Sequence, residues 1–176
     1  HAPNMSGWRE ERAQAWEYLA EIYRFRGEHN KSIKALMNSL TEFPMFTSTY
    51  YSLGVSHAMK ENWDLAKFWA TLGTKVPETK TTLVTNPRDD QARCLETIYN
   101  ASIKMNQLED AWAAARRLKE LFPEDPRIDG YWKFADGLKQ EKEIFVNYMG
   151  LVQYLHATGQ SGKIRPLLAA APDQIA

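Results

Sequence analysis

Two apolar stripes with helical spacing lie near the start of the chain. The apolar or small residues of the first stripe recur every three or four positions, at Trp16, Leu19, Ala20 and Tyr23. That spacing predicts one face of a helix. Gly27 interrupts the pattern, as glycine often does at a helix end. The second stripe follows at Ile33, Leu36, Met37 and Leu40, with Pro44 just beyond it. The pattern therefore predicts a helix–turn–helix unit over residues 13–46.

The same pattern returns further along the chain. At a shift of 34 residues Leu19 becomes Leu53, and the small Ala20 becomes the small Gly54. A third copy keeps its apolar, small and proline positions at Leu95, Ile98, Ala111, Ala115 and Pro123. A unit of this kind buries its apolar face by stacking on its neighbours. The chain is therefore expected to be an array of helical repeats.

These residues resemble the tetratricopeptide repeat (TPR), whose unit of 34 residues is a helix–turn–helix. Repeat one carries the likeness best, through Trp16, Leu19, Ala20, Tyr23, Gly27 and Pro44. Ser32 and Ser39 depart from it, because alanine is usual at both positions. The resemblance implies an all-α fold, a right-handed α–α superhelix of TPR-like repeats.

The chain divides around this array. Residues 1–8 are interpreted as a linker or the edge of an upstream domain, and the repeat domain as 9–171. Its repeats are placed at about 13–46, 47–73, 92–125 and 126–159, with a cap helix at 161–171 and a tail at 172–176. The stretch "KVPETKTTLVTNP" at 75–87 holds two prolines and no helical stripe. It predicts an irregular insertion, for which a tolerated surface excursion is preferred to a binding loop.

The register beyond Pro123 has two interpretations. Asp125 is suited to cap a helix and Pro126 to its first turn. Counting onward from repeat three, helices 127–140 and 143–158 form a fourth pair. By residue match, 145–171 forms a repeat of its own. We prefer the first, because it leaves no unpaired helix within the array.

In arrays of this family the first helix of each pair lines a concave surface. The resemblance places nine candidate binding residues there, namely Gln14, Glu17, Glu21, Arg24, Tyr51, Arg93, Glu96, Asn100 and Lys104. A strip that mixes both charge signs with an aromatic ring suits an extended peptide or a partner helix. For any one of these residues the alternative is packing against the neighbouring repeat.

One subtype of the family binds the C-terminal carboxylates of chaperones through lysine, asparagine and arginine. The corresponding positions of this chain are Glu17, Glu21, Ser52, Arg93 and Thr97. Two carboxylates at the first two positions would repel a carboxylate ligand. The sequence therefore argues against a chaperone C-terminal tail as the partner.

Charge and cysteine content narrow the class further. The 22 Lys and Arg residues balance 22 Asp and Glu residues, so the composition indicates neither nucleic acid nor a membrane surface as a partner. Cys94 is the one cysteine of the chain and has no second cysteine with which to pair. No apolar run reaches the roughly 20 residues that span a bilayer. A cytoplasmic protein is predicted.

No motif for chemistry stands out. The four histidines, His1, His29, His57 and His156, lack the spacing of a helical metal pair. Phosphate-loop and nucleophile-elbow patterns are absent from the sequence. Cys94 falls within a helical stripe, where a buried apolar role is expected. The sequence predicts a segment without catalytic residues, metal or cofactors.

The leading hypothesis is a non-catalytic interaction or scaffold module for a protein, a peptide or an adjacent domain of the same chain. As an alternative, "HAPNMSGWREERAQAWEYLAEIYRFRGEHNKSIKAL" looks like the junction in bacterial and phage glycosyltransferases where a catalytic domain runs into helical repeats. The segment would then be an accessory C-terminal domain that aids acceptor binding or assembly, and His1 a remnant of the metal site. A third hypothesis is self-assembly through an exposed terminal repeat.

Overall fold

Eight α-helices and one short 3-10 turn make up the described part of the chain, which in this computed structural model comprises residues 6–81, 83 and 85–169. The helices are α1 (Ser6–Phe25), α2 (His29–Glu42), α3 (Thr47–Ala58), α4 (Trp63–Gly73), α5 (Pro87–Lys104), α6 (Leu108–Leu121), α7 (Pro126–Ala157) and α8 (Ile164–Ala169). No β-strand occurs among the described residues. The predicted all-α class is confirmed.

Three tight turns join the helices of the first three pairs, and each holds one residue in the left-handed region. The φ angle is +73° at Gly27, +58° at Glu61 and +56° at Asn106. Glycine reaches this region freely, whereas a residue with a Cβ pays roughly 1–2 kcal/mol. The turn geometry therefore repeats even where the glycine that marks it in the sequence does not.

The second helix of each pair packs on the first helix of the next, so that α2 lies on α3, α4 on α5 and α6 on α7. Hydroxyl groups join α2 to α3. Ser32 Oγ lies 3.2 Å from Ser56 Oγ, and Ser39 Oγ lies 3.2 Å from Thr49 Oγ1, all of them buried. Buried hydroxyls are stable when they are hydrogen-bonded. The two serines that depart from the usual alanine thus pair across this interface.

Small residues set the spacing between α4 and α5. A Cβ added at Gly73 would lie 2.6 Å from Cys94 Sγ and 3.0 Å from Tyr50 Cβ. Cys94 itself is fully buried. Burial raises the pKa of its thiol to about 12, because the low-dielectric interior disfavours the thiolate. Cys94 is a packing residue, as its position in a helical stripe suggested.

The last large helix corrects the predicted fourth pair. Instead of two helices at 127–140 and 143–158, α7 runs without a break from Pro126 to Ala157. Nor does a separate repeat begin at residue 145. The stretch "KQEKEIF" at 139–145 has no glycine or proline, and its lysine, glutamine and glutamate residues favour helix. Asp125 caps α7 as expected, its side chain accepting a 2.9 Å hydrogen bond from the Arg127 N–H.

The two ends of the array also differ from the expected bounds. α1 already includes Ser6, within the predicted linker, while residues 1–5 lie outside the described residues. The predicted cap at 161–171 consists of a 3-10 turn, Ser161–Lys163, followed by α8, and Tyr148 of α7 donates a hydrogen bond to the Leu167 carbonyl. Residues 170–176, which include the predicted tail, are outside the described part. None of the described helices combines the length and the apolar character needed to cross a membrane.

Candidate functional site

A concave groove lies between α1, α3 and α5, the first helices of the three pairs. Its main cavity measures ≈ 420 Å³. The residues that line it come from these helices and from α2, namely Glu17, Tyr18, Ala20, Glu21, Arg24, Ser32, Ser48, Tyr51, Ser52, Arg93 and Glu96. Six of the nine candidate binding residues are among them. Spacing of three or four residues brings Glu17, Glu21 and Arg24 onto one face of α1.

Glu17 is anchored to the first turn of α3. Its Oε1 accepts a 2.9 Å hydrogen bond from Ser48 Oγ, and it also accepts a hydrogen bond from Thr49 Oγ1. Burial raises the pKa of the Glu17 carboxyl, the two hydroxyl groups act in the opposite direction, and Asp90 adds to the rise. The N-terminal end of a helix also favours a carboxylate. Glu17 therefore holds two helices together, and it is less able to meet a ligand than its place in the pattern suggested.

Charges of both signs line the rest of the cavity. Arg24 Nη2 lies 3.6 Å from Glu21 Oε1 on the same helix. The Arg93 guanidinium lies 5.6 Å from the ring centroid of Tyr51, within the range of a cation–π contact. This surface offers an exposed cation and an aromatic ring side by side, with half of the Glu21 side chain open to solvent.

A second cavity lies between α5 and the start of α7. It measures ≈ 290 Å³, has Arg93 and Glu96 in its lining as the first cavity does, and includes Asp125 and Arg127. Burial of Asp90, on the neighbouring turn of α5, raises the pKa of that carboxyl, although Arg93 lowers it. Arg93 and Glu96 therefore border two neighbouring polar cavities.

Three candidate residues lie outside the main cavity, namely Gln14, Asn100 and Lys104. Lys104 Nζ lies 5.9 Å from the ring centroid of Trp63 on α4, so this lysine is turned away from α1. Conversely, Tyr18 and Ser52 line the cavity but were not among the predicted nine. Each directly follows a predicted residue in the sequence. A wider choice of the helix face that lines the groove would have included both.

The insertion between α4 and α5 contacts the first helix of the array. Thr81 Oγ1 donates a 2.8 Å hydrogen bond to Glu10 Oε2. Glu10 is buried and lies on the same face of α1 as Glu17. The segment is therefore attached to α1, a contact that the interpretation as a surface excursion did not include.

The described residues contain no group of three or more His, Cys, Asp or Glu side chains that could hold a metal ion. His1, the candidate metal ligand of the glycosyltransferase hypothesis, lies outside the described residues.

The comparisons with known proteins rest on structure alone. No family model matches the chain, and no curated protein matches it. Among solved structures, the chain is similar to the first TPR domain of Spaghetti (RPAP3) bound to the HSP90 peptide SRMEEVD. The TM-score is 0.64 and the sequence identity 12%, and the match covers 74% of this chain and 95% of that chain. The chain therefore adopts the TPR fold, the all-α superhelical array that its recurring pattern predicts.

Proposed function

We propose that this chain is a non-catalytic interaction module that binds an extended peptide in the groove formed by α1, α3 and α5. The observation that carries the proposal is the ≈ 420 Å³ cavity, which is lined by the first helices of three successive repeats and has a second polar cavity beside it that shares Arg93 and Glu96. The TPR-fold neighbour holds a peptide, which supports a segment of a partner protein, or of an adjacent domain, as the ligand.

The chemistry of the two cavities favours a ligand with charges of both signs. Arg93 and Tyr51 offer a cation and a ring to an acidic or aromatic side chain, and Glu21 offers a half-exposed carboxylate to a basic one. Backbone amides of an extended peptide add hydrogen bonds to such a surface. We expect Arg93 to contribute most, because it borders both cavities.

The two carboxylates that the sequence predicts to repel a chaperone tail are both engaged within the array. Glu17 accepts hydrogen bonds from Ser48 and Thr49, and Arg24 Nη2 lies 3.6 Å from Glu21 Oε1. The neighbouring structure, with the same fold, is bound to an HSP90 peptide. An acidic C-terminal peptide is therefore a suitable probe of this groove.

Panning a display library of random heptapeptides against the intact chain tests the proposal, with SRMEEVD as a defined additional probe. Peptides selected on the wild type are titrated by fluorescence anisotropy against Arg93→Glu and against Lys34→Glu, a matched control at an exposed position of α2. We expect Arg93→Glu to change affinity at least tenfold and Lys34→Glu to change it less than twofold. Failure to select any peptide above background, or equal binding to the two variants, would overturn the groove assignment.

The accessory-domain alternative remains a prediction from the sequence. The encoded sequence upstream of His1 tests it. An Asp-x-Asp motif within alternating strands and helices would support a glycosyltransferase, and an open reading frame that starts at or near His1 would exclude one.

A further inference from the structure

The face of α1 opposite the core carries a continuous exposed stripe, one member of which, Tyr18, also lines the cavity between α1, α3 and α5. Its members alternate at spacings of three and four, at Trp8, Glu11, Ala15, Tyr18, Ile22 and Phe25. Residues at this alternating spacing form the seam along which two helices pack. On the other side of α1, Ala13 and Ala20 are buried. A helix that is apolar on two opposite faces is typical of a helix covered on both.

The repeats themselves indicate what covers the position of Ala15. Its equivalents are Thr49 in repeat two and Cys94 in repeat three, and both are fully buried. Thr49 lies 3.2 Å from the hydroxyl of Ser39 on α2, and the Cys94 sulfur faces Gly73 on α4. In each case the second helix of the preceding repeat covers this face.

The same comparison between repeats applies to the position of Ile22. Its equivalents, Ser56 and Ala101, are buried, and Ser56 meets Ser32 of α2 at 3.2 Å. In repeat one, none of the helices that the structure describes packs on this face, since α1 packs on α2 with its opposite side. The fold of the array thus has a position for one more helix beside α1.

The uncovered apolar area is close to the apolar share of a standard interface. Trp8 is 67% exposed, Tyr18 60%, Ile22 48% and Phe25 83%. With large side chains of roughly 200 Å² each, the stripe presents about 500 Å² of apolar surface. A stable interface buries about 800 Å² on each partner, somewhat over half of it apolar. The stripe alone supplies this share.

We propose that a second copy of the chain supplies the missing helix, with the two α1 helices packed antiparallel about a two-fold axis. The stripe is symmetric about a point between Trp16 and Glu17. An antiparallel pairing about that point sets Ala15 opposite the partner's Tyr18, Trp8 opposite the partner's Phe25, and Glu11 opposite the partner's Ile22.

Size and charge favour this direction over the parallel one. The antiparallel pair places the small Ala15 against a large ring, whereas the parallel pair places alanine on alanine. It also separates the two Glu11 carboxylates, which a parallel pair would bring face to face at a cost. Because the same patch of each copy contacts the other, the assembly closes at two copies.

Sedimentation equilibrium over a wide concentration range tests the state of assembly. We expect the mean mass to rise with concentration from that of one chain to that of two chains, and to rise no further. Ile22→Lys should raise the concentration at the midpoint of dimerisation at least tenfold. Its helicity should be unchanged, because Ile22 is half exposed and outside the groove cavity. Leu65→Lys, a similar change at an exposed site of α4, should leave the midpoint unchanged. A mass fixed at one chain, growth beyond two chains, or dimerisation of Ile22→Lys equal to that of the wild type would overturn the proposal.

Cysteine cross-linking tests the direction of the helices. Native Cys94 is buried and poorly ionised, so it does not compete. Ala15→Cys and Tyr18→Cys proteins are oxidised with copper phenanthroline in air, separately and as a mixture. We expect covalent dimers chiefly from the mixture. Strong self-cross-linking of Ala15→Cys would indicate a parallel pair and overturn the antiparallel arrangement, and no cross-link in any sample would overturn the α1 contact itself.

Discussion

Ser48 Oγ donates a 2.9 Å hydrogen bond to Glu17 Oε1, and through it the first helix of repeat one is joined to the first helix of repeat two. The groove is therefore braced by one of the carboxylates that the pattern assigned to ligand binding. Removing that carboxylate should alter the stability of the array before it alters recognition, since a half-buried group that accepts hydrogen bonds from two hydroxyl groups acts on folding.

Glu17→Gln should weaken one component of the pH dependence of stability. Burial raises the pKa of Glu17 above its ordinary value of 4.5, so the folded chain binds more protons at this site than the unfolded chain between the two pKa values. The site then adds stability as pH falls through the raised pKa, and this contribution is complete below the unfolded value. In urea unfolding between pH 4 and pH 8, the free energy of unfolding of the wild type should rise relative to that of Glu17→Gln as pH falls.

Glu42 provides a control of opposite sign. Its hydrogen bond with Arg12 lowers the pKa of the Glu42 carboxyl, so this site loses its stabilising effect as pH falls. In the acid range, the free energy of unfolding of the wild type should therefore fall relative to that of Glu42→Gln as pH falls. Parallel pH profiles of the wild type and Glu17→Gln would contradict the desolvation of the half-buried Glu17 carboxyl.

The sequence predicts the array well because its first repeats are marked by local signals. Gly27 and Pro44 bound the helices of repeat one, and the stripe from Trp16 to Tyr23 meets α2 in the core. The contact between Glu17 and α3 was not predictable, because it depends on how two repeats stack. The continuous α7 departs from the predicted pair because the stretch around Lys142 contains no glycine or proline that would end a helix.

Lys142→Pro distinguishes a continuous α7 from two helices joined at 141–142. In a helix interior, proline removes a hydrogen bond and clashes with the preceding turn, at about 3 kcal/mol or more. We expect a loss of helical circular dichroism and faster amide exchange over 138–146. Lys142→Ala should retain both signals. If Lys142→Pro leaves the helical signal and the exchange unchanged, a turn lies at that position.

Gly73→Ala should destabilise the chain by about 1–3 kcal/mol, the usual cost of overpacking, because the new Cβ would lie 2.6 Å from Cys94 Sγ. Combining it with Cys94→Ala should recover part of the loss, since the clashing sulfur is removed. Chemical denaturation measures both effects.

Gly130→Ala is the matched control for that substitution. Gly130 lies within α7, and an added Cβ there meets no described atom within 4 Å. Alanine in an exposed helix interior is favoured over glycine by roughly 0.5–1 kcal/mol. A Gly73→Ala protein as stable as the wild type would show that α4 and α5 lie further apart than described.

The location of a bound peptide shows whether α1, α3 and α5 form the binding surface. Backbone amide NMR spectra of the chain are recorded during titration with a library-selected heptapeptide. We expect the largest shifts on the groove faces of α1, α3 and α5, around Glu21, Tyr51 and Arg93, with small shifts on α4 and α6. Shifts concentrated on α2, α4 and α6, with the groove residues unperturbed, would contradict the groove assignment.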